Sequence, residues 1–244
     1  ADVVGGMPFN ELHPQDSARH ISIAFEIATH FNADLDMHVD ETDDVAACTL
    51  EMLAEQTIEH GWQGRVTAGH TCALAGYKDD YANHVIELVR DAGIHMITNP
   101  ATNLMLQGRF DAQPKRRGIT RVKELLAEGI NVSFGQDCVK DTFYPFGRVD
   151  PLEVGLIAAH AAHMSLPNEI ETVFDMQANA AAKLMRLTDY GFQPGCKADL
   201  VILDAANASG ALTRQAARSV VIKNGRVIVE NEKKQDWRWS PEGE

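Results

Sequence analysis

At 244 residues, with 45% hydrophobic and 23% charged side chains, the chain has room for one large domain, or one large and one small, and the composition of a globular protein. Its formal charge of −13 argues against a phosphate backbone or an anionic membrane as partner, so neither nucleic acid nor membrane is expected. No apolar run approaches the length of a membrane span, and Cys48, Cys72, Cys138 and Cys196 form no CxxC or disulfide framework, which fits a reducing cytoplasm.

The chain opens Ala1-Asp2-Val3-Val4, with neither Met nor a signal pattern, and a missing N-terminal segment is expected. Val3-Val4-Gly5-Gly6-Met7-Pro8 reads as a strand running into a loop. Asp16 or Ser17 is expected to cap a helix with Ile21, Ala24, Phe25 and Ala28 on one face. Alternation from Leu35 to Val39 predicts a short strand, followed by an acidic turn. Val45, Cys48, Met52 and Leu53 mark a second amphipathic helix, ending near Gly61.

Arg65 to His70 is the third predicted strand, and Tyr81, Val85, Leu88, Val89 and Ala92 mark a helix closed by Gly93. Ile94-His95-Met96-Ile97-Thr98 is the fourth strand, stopped by Asn99-Pro100. A long loop is expected from Ala101 to Gly118, then a helix around Val122, Leu125 and Leu126 that Gly129 caps. Ile130 to Gly135 is the fifth strand, leading into Gln136-Asp137-Cys138. Strand then helix, repeated, predicts right-handed parallel units and an α/β fold. Ala-rich helical patterns run from Pro151 to about Leu187. Beyond Gly195 the texture turns to strands, with Asn224-Gly225 as a two-residue hairpin signal. The last residues, with Trp237 and Trp239, are expected to be loosely ordered.

Polar groups recur where the predicted strands end: His38 with Glu41, His70, Asn99 with Asn103, and Asp137. In a closed parallel barrel such positions converge on one mouth. Imidazole with carboxylate suits Zn²⁺ or Fe²⁺, which lowers the pKa of bound water to about 7. Glu41 is placed to carry a proton to a leaving nitrogen.

Several stretches then carry a resemblance to the bacterial cytosine deaminases of the metal-dependent amidohydrolase superfamily. They are Asp2-Val3-Val4-Gly5, His38-Val39-Asp40-Glu41-Thr42-Asp43-Asp44, Val66 to Thr71, Asn99-Pro100, Gly135-Gln136-Asp137 and Tyr144-Pro145. The longest runs from Leu106-Gln107-Gly108-Arg109-Phe110-Asp111 through Pro114-Lys115-Arg116-Arg117-Gly118-Ile119-Thr120-Arg121-Val122-Lys123-Glu124.

The resemblance implies a (β/α)8 barrel, with strands four to eight in residues 1–190, and a small β-sandwich portion in residues 191–244. It implies one divalent metal ion, Fe or Zn, with His38 and Asp137 as ligands. Glu41 would shuttle protons and His70 would assist the hydroxide. The His-x-His pair of the first barrel strand is absent here, and the first three strands are expected to be missing. Where the family has a second Asp facing the pyrimidine, this chain has Cys138, and a thiol cannot replace a carboxylate acceptor. Phe143, where the family tends to have Trp, is expected to stack on the substrate ring.

The expected activity is hydrolytic deamination of a cytosine-like heterocycle, a small molecule, by a homo-oligomeric cytoplasmic enzyme. The alternatives are an amidohydrolase acting on a creatinine, isocytosine or triazine ring, or a non-catalytic fragment. The basic run Lys115-Arg116-Arg117 reads either as an anion site or subunit contact, or as a solvated loop paired with nearby acids.

Overall fold

The computed structural model describes residues 2–116 and 118–232. Arg117 and the Trp237 and Trp239 expectation lie outside the described residues. The chain forms two compact units, Ala1–Leu187 and Thr188–Glu244.

The first unit is built on a five-stranded parallel sheet in sequence order: β1 (Val3–Gly6), β2 (Asp34–Val39), β3 (Val66–His70), β4 (His95–Thr98) and β5 (Val132–Phe134). The register runs Gly5 to Asp36 to Thr67 to His95 across four strands. On β2 the strand period of two buries Leu35, Met37 and Val39 and leaves Asp36 and His38 on the opposite, open face. The same alternation fixes which way His38 points, since a slip of one residue would bury it among the helices. This is an α/β fold, five consecutive strands of the (β/α)8 type. Among the described residues β1 and β5 each pair on one side only.

Helices cover the other face: α1 (Pro14–Phe31), α2 (Thr49–Glu59), α3 (Asp79–Asp91), α4 (Pro100–Leu106), α5 (Val122–Ala127), α6 (Pro151–Ala161), α7 (Pro167–Met176) and α8 (Asn179–Leu184). Ile21, Ala24, Phe25 and Ala28 of α1 are buried as their spacing predicts. Phe25 stacks on His60 with ring centroids 4.7 Å apart. Each such fully buried large side chain contributes about 1.5–3 kcal/mol.

Two local expectations fail for identifiable reasons. Helix α1 starts at Pro14, before Asp16, with no side-chain cap. Proline there has its φ preset and no N–H to leave unpaired. The region read as a long loop holds α4, because Pro100 after Asn99 opens a helix as readily as it ends a strand.

Helix α7 carries a testable electrostatic feature. Glu169 accepts from the backbone N–H groups of Ser165 (2.8 Å) and Leu166 (2.9 Å) and pairs with Lys123 at 2.5 Å. The Lys123 contact first, then these N–H groups, hold its carboxyl down at about 2, against an ordinary 4.5. A depressed folded pKa means stability present above the ordinary value and lost as pH falls through about 2. Thermal melts of Glu169→Gln against the parent should therefore show a deficit near neutral pH that closes as the pH drops to about 2. A pH-independent difference would assign the effect to packing.

The second unit holds a three-stranded antiparallel sheet of β6 (Leu200–Leu203), β7 (Arg218–Lys223) and β8 (Arg226–Glu230), with α9 (Ala208–Thr213) between the first two. Asn224 and Gly225 turn the β7–β8 hairpin at φ 49 and 73, the positive pair that a two-residue loop needs.

Candidate active site

The C-terminal ends of β2, β3 and β5 share an unusual backbone. Asp40, His70, Thr71 and Asp137 all sit at positive φ, at 45, 71, 49 and 59. Left-handed backbone costs a non-glycine residue about 1–2 kcal/mol, and such strain collects where side chains must be aimed.

At the end of β2 the chain is held by Asp40, which is buried. Its carboxylate accepts from Thr49 N (3.0 Å), Thr49 Oγ1 (2.5 Å) and Leu50 N (3.0 Å) and so caps α2. Burial raises the Asp40 pKa, and these bonds to its charged form oppose the rise. This anchor turns Glu41 back over the strand ends. Glu41 Oε2 lies 3.6 Å from His38 Nδ1, and Glu41 Oε1 lies 3.3 Å from His70 Nδ1. The two imidazoles lie 4.7 Å apart, centroid to centroid. One ligand atom from each of His38, Glu41 and His70 falls within 4.8 Å of the others.

The two histidines are held differently. His38 is half-exposed, and its charged contact with Glu41 raises its pKa more than burial lowers it. His70 is buried, and desolvation holds its pKa down, which favours the neutral ring. Its Nε2 lies 3.1 Å from Asn99 Nδ2 and its Nδ1 lies 3.0 Å from Asn103 Nδ2. The adjacent Glu41 carboxylate can only accept, which assigns the ring proton to Nδ1 and lets Nε2 accept from Asn99. Turning the Asn103 amide over would then bring its Oδ1, buried without a partner, onto that N–H. Gly135 makes room for the clamp, since a Cβ there would stand 2.6 Å from Asn99 Oδ1.

His38, Glu41, Asp137, Cys138 and Phe143 line one cavity of about 530 Å³. The Asp137 charge acts on both imidazoles, adding to the rise at His38 and partly opposing the fall at His70. Asp137 stands outside the tight three-residue group but on the same cavity wall. Cys138 is half-buried with Sγ 3.8 Å from Asp137 Oδ2. Burial first, then its contact with Asp141, pushes the thiol up to about 12, so it stays protonated. Phe143 lines the cavity and is 57% accessible.

The donor set fits a divalent cation. A half-exposed imidazole and carboxylates line the same cavity, an N/O donor set of the kind that binds Zn²⁺ or Fe²⁺. The tight donor group is His38, Glu41 and His70, but both nitrogens of His70 already face the amides of Asn99 and Asn103, which leaves His38 and the carboxylates of Glu41 and Asp137 as candidate ligands.

Sequence reasoning missed Met7, Phe9 and Asn10 after β1, and Thr102, Leu106 and Gln107 of the α4 region, all on the cavity wall. The Asn99/Asn103 spacing of four was the available signal for α4, since it puts both amides on one helix face.

The amidohydrolase family profile matches residues 2–229. A pterin deaminase of Rhizobium rhizogenes is 36% identical over 197 residues, covering 80% of this chain and 45% of its own length. An N-isopropylammelide isopropyl amidohydrolase of Pseudomonas sp. is 29% identical over 233 residues, 95% of this chain and 54% of its own length. The chain thus spans about half the length of these relatives. The crystal structure of a 5-methylcytosine deaminase from Klebsiella pneumoniae, liganded with 5-fluorocytosine, superposes with a TM-score of 0.94 at 37% identity. The superposition covers 97% of this chain and 58% of that one.

Proposed function

This chain belongs to the amidohydrolase family, and from that premise we propose that it serves the hydrolytic deamination of a cytosine-like ring. Water adds at the ring carbon bearing the amine, the exocyclic C–N bond breaks, and ammonia leaves a ring carbonyl behind. The observation that carries this reading is the shared cavity, which His38, Glu41, Asp137, Cys138 and Phe143 all line.

When bound, a Zn²⁺ or Fe²⁺ ion supplies a nucleophile at neutral pH by acidifying water. His38 and Asp137 would hold it. Glu41 takes the proton from the nucleophile and delivers it to the leaving nitrogen, and it touches both imidazoles already. His70, neutral and clamped by two amides, keeps a fixed orientation toward the reacting atoms. Phe143 stacks on the ring.

Cys138 refines the substrate class. A protonated thiol cannot accept from ring N–H groups as a carboxylate does, but it can lie against a small apolar group. Together with the likeness to a 5-methylcytosine deaminase, this favours a pyrimidine carrying a small substituent at C5. The test is release of ammonia from 5-methylcytosine, cytosine and a pterin, and of isopropylamine from N-isopropylammelide, by the complete, metal-loaded protein. Turnover of 5-methylcytosine above the other rings supports the reading. Turnover of N-isopropylammelide alone would move the protein to triazine chemistry. No turnover of any ring and no stoichiometric metal would leave the non-catalytic alternative.

A further inference from the structure

The longest stretch that carried the family resemblance has no part in the chemistry just described. Resting on the deaminase reading, we propose that Arg116, Thr120 and Arg121 strap the loops behind the two proton-handling groups together, and that Thr120 is a positioning residue for His70.

His70 and Thr71 are consecutive left-handed residues, at φ 71 and 49, and Thr71 is β-branched, which makes that backbone a rare one. Something must hold it. Thr71 N donates to Val39 O at 2.8 Å, which ties it to the end of β2. Its side chain meets Thr120, with Oγ1 to Oγ1 at 2.7 Å, and both residues are buried. The partner comes from 49 positions along the chain. Since His70 precedes Thr71 directly, the hydroxyl pair fixes the backbone from which the imidazole is aimed.

Neighbouring residues repeat the device. Arg121 donates from Nε to Leu74 O (3.0 Å) and from Nη2 to Tyr77 O (2.7 Å), and so closes the loop after Thr71. Arg116 donates from Nη1 to Asp43 O at 2.7 Å, two residues beyond Glu41, while its Nε and Nη2 grip the Asp111 carboxylate at 2.7 and 3.0 Å. Asp43 Oδ2 accepts from Gly108 N at 2.5 Å. The chain crosses itself so closely there that a Cβ on Gly108 would stand 1.6 Å from Arg116 O. Within the basic run, Arg116 is thus a brace between loops.

The experiment uses the complete zinc-loaded protein and three variants: Thr120→Val, Thr120→Ser and the double variant Thr71→Val/Thr120→Val. It reads melting temperature, kcat and KM for 5-methylcytosine, and the imidazole ¹⁵N resonances of His70. Thr120→Val should melt lower, because the Thr71 hydroxyl is left buried and unpaired. Its kcat should fall about tenfold or more with KM nearly unchanged, and the His70 resonances should move. Thr120→Ser should restore all three. The double variant removes both hydroxyls and should recover the melting temperature but not kcat or the His70 resonances. Recovery of kcat together with melting temperature in the double variant would overturn the proposal, as would unmoved His70 resonances in Thr120→Val. If the parent releases no ammonia from any ring, the deaminase reading fails by itself. The ¹⁵N shifts, which need no substrate, then decide the Thr120 proposal alone.

Discussion

Glu41→Gln is expected to keep the metal and the melting temperature while turnover falls by about 10²–10⁴-fold, the usual share of a proton-transfer group. Glutamine has the same shape and keeps an oxygen that can accept from His70 Nδ1, so the contact at 3.3 Å survives. What it loses is the capacity to take a proton and give it up. Glu41 lines the cavity and contacts both imidazoles, 3.6 Å from His38 Nδ1 and 3.3 Å from His70 Nδ1. Ammonia release and metal content, measured on the same preparation, separate the outcomes. Full metal with lost turnover assigns Glu41 to the proton; full metal with turnover near the parent's removes it from the mechanism.

Cys138→Asp should raise cytosine deamination relative to 5-methylcytosine, by about 10–100-fold in the ratio of kcat/KM. That range corresponds to one hydrogen bond to a charged group. The thiol, held protonated by burial and by Asp141, offers the ring no acceptor of carboxylate strength. The introduced carboxylate would supply one for ring N–H groups and would crowd a substituent at C5. Competition between the two pyrimidines in one vessel reads the ratio directly. An unchanged ratio would mean that residue 138 faces away from the ring.

The pattern of the sequence reveals the parallel sheet because each strand alternates or runs apolar between clear turn signals. It also points to the candidate site, since His38, Glu41 and Asp137, picked out at strand ends, line one cavity. It does not reveal what steers them. The left-handed backbone at Asp40, Thr71 and Asp137 falls on non-glycine residues, the β-branched Thr71 among them, and has no local signature. The Asn99 and Asn103 clamp becomes visible only once α4 is seen as a helix, and Pro100 reads equally as an end or a beginning. The Thr71–Thr120 pair joins positions too distant for any periodicity to connect. Distant side-chain contacts of this kind are set by tertiary packing, which one sequence does not display.

The most direct measurement is an anomalous diffraction map of the complete protein at the absorption edge of the metal it carries. A single peak in the cavity, within about 2.0–2.2 Å of an imidazole nitrogen of His38 and a carboxylate oxygen of Asp137, is the expected result. His70 should remain between Asn99 and Asn103, off the metal. A peak coordinated by His70, or one out of reach of Asp137, would contradict the account.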